Sequence, residues 1–297
     1  MRIAYIGVMN SIGQPDNGFT KAMHKLGAYR EFTRVEDIDN VDLLFLQTQD
    51  TGLNVKELSR LRNQGTYIIH WVGDARHETP NYCFEYAPYV DITCFSNMRD
   101  VDNMRSHGYS SRFLQIGYDP EIYYPDPNIG KDIDICFMGN HFGHFPLSQL
   151  RRDMVNELKR TYGDRFKAYG VGMRDGNFMS NQKGEADIYR RSKIGINLSH
   201  FDYPRYTSDR MFRMLGSGVC VLSHAYNNIL DDFKGELVVW SDINSLKERI
   251  DYHLNDNIYR PVVANAGHQL ALNNYTFSQM AQNIIQPWKN RDEGGNV

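Results

Sequence analysis

The feature that most constrains this chain is a recurrence of short apolar runs separated by helical patterns. "IAYIGV" (3–8), "DLLFLQ" (42–47), "TYIIHWV" (66–72), "DITCFS" (91–96) and "RFLQIG" (112–117) have strand length. They are apolar on both faces, as strands are when helices cover both sides of a parallel sheet. Helical patterns fall between them near 18–28, 54–64 and 98–107. Such alternation is the signature of an α/β fold. It stops at "YDPEIYYPDPNIGKD" (118–132), where three prolines and a glycine break any periodic element. It then restarts with "DICFMGN" (134–140), "FKAYGVG" (166–172), "IGINLS" (194–199), "VCVLS" (219–223) and "LVVW" (237–240). Helical patterns near 147–161, 185–192, 208–216, 244–255, 258–272 and 276–287 accompany these runs.

The expected architecture is therefore two Rossmann-like α/β domains joined by a proline-rich hinge, facing across a cleft. The expected boundaries are 1–122 for the first domain and 123–275 for the second. A last helix and tail, 276–297, would return to the first. Ligands of such sheets bind beyond the carboxyl ends of the strands, and closure about a hinge is a natural way to enclose a substrate. The length of 297 residues agrees with about two domains.

Composition excludes several classes. A net charge of −3 gives no global attraction to nucleic acid or to an anionic membrane. No apolar span is long enough to cross a bilayer. "MRIAYIGVMN" reads as a first strand rather than a signal peptide. Cys83, Cys94, Cys136 and Cys220 form no Cys-x-x-Cys pair, and the last three lie in apolar runs. Buried free thiols in a reducing compartment are expected, hence a cytoplasmic protein.

The stretch "HFDYPRYTSDRMFRMLGSGVCVLS" (200–223) is the main candidate for chemistry. A strand ends at Ser199, a loop runs to Thr207, and Ser208 or Asp209 can cap a helix bearing Arg210 and Arg213. A helix start offers unpaired N–H groups and partial positive charge to an anion. The Thr207 and Ser208 hydroxyls and the forked donor of Arg210 would add to it. On the residues alone, a phosphate-holding loop and an ordinary capped helix with solvent-facing arginines both stand.

The second half resembles the nucleotide-binding domain of GT-B glycosyltransferases. It is most similar to the group related to the spore-maturation protein CgeB. The resemblance rests on "DIDICFMGN", "YGDRFKAYGVG", "YRRSKIGINLSHF", "SDRMFRMLGSGVCVLS", "LVVWSDINSLKERIDYHLND" and "NYTFSQMAQNII" in that order. "HWVGDARHE" and "FLQIGYDPEIYYPDP" extend it into the first half. The resemblance implies that Thr207, Ser208 and Arg210 hold a donor diphosphate, with Arg213 adding charge nearby. It places Gly139 and Asn140 at the donor, Tyr169 and Gly170 near the nucleotide base, and Ser199 before the diphosphate loop. Many retaining relatives carry two glutamates eight residues apart; Arg205 and Arg213 occupy those positions. A cation cannot accept hydrogen bonds from ribose hydroxyls, so a retaining mechanism and the usual ribose contact are both in question.

"HWVGDARHE" (70–78) follows a strand and supplies candidate bases for an acceptor hydroxyl, Asp74 first and His77 second. The structural alternative has Asp74 capping a turn and pairing with Arg76. Asp16 is a weaker third candidate, in a loop where Gly13 could let the backbone approach the donor. "DID" (132–134) is expected to be structural, "HFGH" (141–144) is not expected to bind metal, and "LRRDMVNELKR" (150–160) is expected to be a solvated helix face. No Gly-x-Gly-x-x-Gly follows the first strand, which disfavours a dinucleotide oxidoreductase.

The expected function is metal-independent transfer of a sugar from a nucleoside-diphosphate sugar, UDP-sugar first; inversion is one option, and the stereochemical outcome stays open. No tightly bound cofactor and no metal site are expected. The acceptor is open among glycan, protein, small molecule and a hydroxymethylated DNA base of the phage type. A degenerate, non-catalytic nucleotide-sugar or phosphate-binding protein is the alternative.

Overall fold

The computed structural model describes residues 1–7, 18–48, 52–176, 181–226 and 228–292. The chain divides into two compact units, Met1–Gly117 with Phe277–Val297, and Tyr118–Thr276.

The first unit holds six parallel strands: β1 (Arg2–Ile6), β2 (Ala28–Glu31), β3 (Leu43–Leu46), β4 (Tyr67–Val72), β5 (Ile92–Phe95) and β6 (Ser111–Phe113), in the order β2-β1-β3-β4-β5-β6. Every residue of β3, β4 and β5 is buried, which is why those segments read as unbroken apolar runs. Helices α1 (Gly18–His24), α2 (Val55–Asn63), α3 (Asn81–Tyr86) and α4 (Met98–Ser106) connect them. The helix expected over 18–28 stops at His24 and the chain turns into β2. This edge strand buries only Tyr29 of its four residues, so it lacks the apolar run that marks a central strand. The last helix, α11 (Phe277–Asp292), packs here: Met280 and Ile284 join the core of Ile3, Tyr5, Phe45 and Trp71.

The second unit holds five parallel strands, β7 (Ile133–Met138), β8 (Phe166–Tyr169), β9 (Ser192–Asn197), β10 (Cys220–His224) and β11 (Val238–Trp240), in the order β11-β10-β9-β7-β8. Its helices are α5 (Ser148–Tyr162), α6 (Gln182–Arg191), α7 (Asp209–Gly216), α8 (Ile229–Asp232), α9 (Ile243–Asn255) and α10 (Tyr259–Asn274). One face packs Met211, Leu215 and Tyr189 in its core, and the other packs Met154, Leu158 and Trp240. Asp242 caps α9 in a reciprocal capping box with Ser245.

Each sheet reverses direction after its first strand, between β1 and β3 in one unit and between β7 and β9 in the other. The carboxyl ends of such a strand pair open the crevice where doubly wound sheets bind ligands. All four cysteines are buried and free. Among the described residues no helix is long and apolar enough to cross a membrane.

Candidate functional site

In the second unit the switch point is formed by the turn after β7 and the turn after β9. Gly139 and Asn140 follow β7. Their backbone is laced to the turn after β8: Gly139 N donates to Tyr169 O (2.8 Å), and Val171 N donates to Asn140 Oδ1 (3.2 Å). Gly170 has φ +133° there, and a Cβ on it would lie 2.1 Å from the Gly139 carbonyl oxygen. Only glycine fits between these turns. Tyr169 is buried, and burial pushes its hydroxyl up to about 12.

The two sides of the crevice are joined by a residue expected to face solvent. Arg151, from the first turn of α5, is 1% exposed. Its Nη1 donates to the Asn140 carbonyl (2.9 Å) and its Nη2 to the Leu198 carbonyl (2.6 Å), so one guanidinium clamps the ends of β7 and β9. Nη1 also lies 3.0 Å from His200 Nε2. No carboxylate among the described residues reaches Arg151. Burial, then the charge of Arg210, pulls its pKa down to about 9. The expectation of a solvated face over 150–160 is thus corrected at Arg151. The signal was present, because Arg151, Met154, Leu158 and Tyr162 share one helical stripe and all four are buried.

The turn after β9 leads into α7. Ser208 caps this helix: its hydroxyl accepts from Arg210 N (3.3 Å), and its own N–H donates to Ser199 Oγ (3.1 Å). Thr207 is buried, and its hydroxyl meets Asn197 Nδ2 (3.2 Å) and Met211 Sδ (3.5 Å). That hydroxyl is engaged inside the unit. Arg210 is half-buried, and no hydrogen bond or ion pair engages its guanidinium among the described residues. Arg210 stands in the first turn of α7, and its charge disfavours the protonated forms of Arg151 and His200. Two guanidinium groups and a helix start therefore share one end of the sheet, and an anion is what such a place holds.

The two arginines at the glutamate positions are tied elsewhere. Arg205 has φ +58° and pairs with Asp232 at 3.0 Å. Arg213 pairs with Asp209 at 2.6 Å and Glu185 at 3.0 Å. Glu185, which sequence reasoning did not single out, comes from α6 and accepts the hydroxyls of Tyr123 (2.8 Å) and Tyr189 (2.9 Å).

In the first unit, Asp74 and His77 lie exposed in the loop after β4. Arg99 fixes this loop by donating to the carbonyls of His77 (2.6 Å) and Arg76 (3.0 Å). Asp74 lies 3.9 Å from Arg76, the pairing foreseen as the structural alternative. Gly13 and Asp16 lie outside the described residues. Asp132 pairs with Arg191, and Asp134 with Arg165 and Lys193, each at 2.6 Å, so "DID" carries structural ion pairs.

The two-unit fold is the GT-B fold. Residues 151–286 match the family model described as "Glycosyl transferase-like". No curated protein matches the chain in sequence. Among solved structures, sucrose-phosphate synthase from Thermosynechococcus elongatus superposes with a TM-score of 0.63 at 13% identity, over 99% of this chain and 100% of that one. HepE of Anabaena, solved with UDP, gives 0.64 at 10% identity, over 98% and 100%. T4 phage BGT, solved with its UDP-glucose substrate, gives 0.61 at 10% identity, over 99% and 98%. At such identities the likeness is one of fold.

Proposed function

We propose that the chain is a glycosyltransferase that moves a sugar from a UDP-sugar to an acceptor hydroxyl. The observation that carries this reading is the pair Arg151 and Arg210 at the switch point beside the start of α7, cations that form no ion pair among the described residues. The match of 151–286 to the glycosyl transferase-like family and the UDP bound in HepE support the donor class.

In this reading the diphosphate lies against Arg210, the N–H groups at the start of α7 and the field of Arg151. The acceptor oxygen bonds to the anomeric carbon of the sugar as the bond to the β-phosphate oxygen breaks. UDP leaves with the electron pair, and the cations stabilise the charge it gains. The acceptor proton passes to a base on the loop after β4, Asp74 first and His77 second. Gly139, Asn140, Tyr169 and Gly170 shape the nucleotide side, and Ser199 supports Ser208. Inversion is favoured because Arg205 and Arg213 occupy the glutamate positions and are bonded to Asp232, Asp209 and Glu185.

The acceptor is a hydroxyl-bearing molecule whose class stays open. A hydroxymethylated DNA base is one specific option, which would need Arg60, Arg62, Arg76, Arg99, Arg105 and Arg112 of the first unit to share a basic face; several of them hold partners of their own. Arg60 is bonded to Glu57, Arg62 to Asp91, Arg99 to Asp100 and Arg112 to the Asn283 carbonyl.

The test is transfer or hydrolysis of labelled UDP-sugars by wild type and Arg210→Ala, with and without chelator. Loss of a charge-assisted bond to phosphate, about 1.5–3 kcal/mol, should lower kcat/KM at least tenfold. The melting temperature should change little, since no hydrogen bond or ion pair engages the guanidinium among the described residues, and chelator should have little effect. Near-normal turnover in Arg210→Ala would sink the donor assignment. UDP-sugar binding without transfer or hydrolysis would point to the non-catalytic alternative.

A further inference from the structure

Arg213 lies one turn into α7 with its guanidinium already engaged. Nη2 meets Asp209 at 2.6 Å, and Nη1 meets Glu185 at 3.0 Å. The group also lies 5.5 Å over the ring of Tyr123. Glu185 is 3% exposed and accepts the hydroxyls of both Tyr123 and Tyr189, so its side of the network is fixed by three donors. A guanidinium held by two carboxylates has little left to offer a phosphate.

Asp209 raises the opposite question. It is in the first turn of α7, between the cap Ser208 and the cation Arg210. A carboxylate there suits the helix dipole, but it opposes a phosphate at the same helix start. Burial, the largest single influence, favours its neutral form, yet the charges of Arg213 and Arg210 and the hydrogen bonds from Ser208 and the Arg210 N–H together hold Asp209 below its usual pKa. Arg151, Arg210 and Arg213 against Asp209 and Glu185 leave three positive and two negative charges, a net of one positive. Without Arg213 the sum is zero, with Asp209 the carboxylate nearest the helix start.

We propose that Arg213 is a positioning residue of the donor site: it neutralises Asp209 and ties the first turn of α7 to α6 and Tyr123, leaving Arg210 and the helix start free for the diphosphate. This role rests on the donor reading above. It also accounts for an arginine where retaining relatives place a carboxylate. The residue binds carboxylates of its own chain.

The experiment is calorimetric titration of UDP, UMP and uridine into wild type, Arg213→Met and Arg213→Met/Asp209→Asn. Arg213→Met should weaken UDP at least tenfold, UMP less, and uridine within about twofold. The added Asp209→Asn should recover most of the lost UDP affinity. Loss without recovery would show Arg213 to be a phosphate ligand itself, and equal loss for all three ligands would show a scaffold role; either overturns the proposal. If Arg213→Met does not fold, Arg213→Met/Glu185→Gln removes one of the two carboxylates left unpaired, and adding Asp209→Asn to it should still strengthen UDP binding. Wild type that fails to bind UDP would remove the donor reading and this role together. Binding without rescue removes this role alone.

Discussion

Arg151 Nη1 lies 3.0 Å from His200 Nε2, while the other end of the same guanidinium holds the Leu198 carbonyl at 2.6 Å. Arginine only donates, so Nε2 must accept, and His200 is neutral with its proton on Nδ1. The strands β7 and β9 thus end around a buried cation whose partners are all neutral. Such a cation is costly until an anion arrives. Pyrophosphate and UDP should therefore raise the melting temperature of the wild type. Arg151→Met should abolish that rise and weaken UDP at least tenfold. A full ligand-induced shift in Arg151→Met would remove Arg151 from the site.

Acid should destabilise the protein through its neutral histidines. Burial lowers His70 to about 4, against the small opposing effect of its bond to the Thr48 carbonyl. Burial first, then Arg151, Arg210 and His144, lowers His200 to about 3. The unfolded chain takes up these protons near pH 6.5 and the folded chain does so only at lower pH. Stability is therefore full above about pH 6.5 and falls as pH drops toward 4 and 3. For His70, the fully buried case, the loss is on the order of 3 kcal/mol. His70→Phe should shrink the difference in melting temperature between pH 7 and pH 4.5. Nitrogen NMR should show His200 as the Nδ1–H tautomer with no titration between pH 5 and 8. A His200 titration near pH 6.5 would contradict the Arg151 contact.

Gly170→Ala tests the turn-to-turn packing. The residue has φ +133°, and the added Cβ would lie 2.1 Å from the Gly139 carbonyl oxygen. The strain alone is about 1–3 kcal/mol, and the clash forces the turns after β7 and β8 apart. The expected result is a lower melting temperature together with weaker UDP binding. Gly163→Ala is the control, since its Cβ would meet nothing within 4 Å although its φ is also positive. Equal UDP affinity in the two variants would argue against the turn after β8 shaping the donor site.

The proposed base can be separated from the donor site. Asp74 is 66% exposed and its nearest cation, Arg76, stands at 3.9 Å. Pairing so exposed contributes little to stability, so Asp74→Asn should fold normally. It should lower kcat by a hundredfold or more while leaving the UDP affinity within about twofold, as removal of a general base would. His77→Asn is the companion variant. If it lost the activity and Asp74→Asn kept it, the roles of the two residues would exchange.

Much of the fold was legible because burial imposes its period on the sequence. β4 and β5 are wholly buried and read as apolar runs, and of the two cap candidates Ser208 and Asp209 it is Ser208 that caps α7. β2 was hidden because an edge strand with one buried residue carries no such period. Arg151 was legible in principle, as its helical spacing to Met154 and Leu158 puts it on the buried stripe. Its charge made the solvated reading of that helix persuasive.

The sequence by itself determined two α/β halves, which segments are central strands, and a capped helix after β9 with Arg210 in its first turn. Periodicity and capping are local, and local patterns can encode them. Only the tertiary structure decided that Arg151 would clamp the Asn140 and Leu198 carbonyls, residues 11 and 47 positions away. The same holds for Arg213 meeting Glu185, 28 positions earlier. Those partners are set by the strand order around β7 and β9, which brings distant chain segments to one end of the sheet. A carboxylate or a carbonyl becomes the partner of a buried guanidinium through that placement, and spacing along the chain does not encode it.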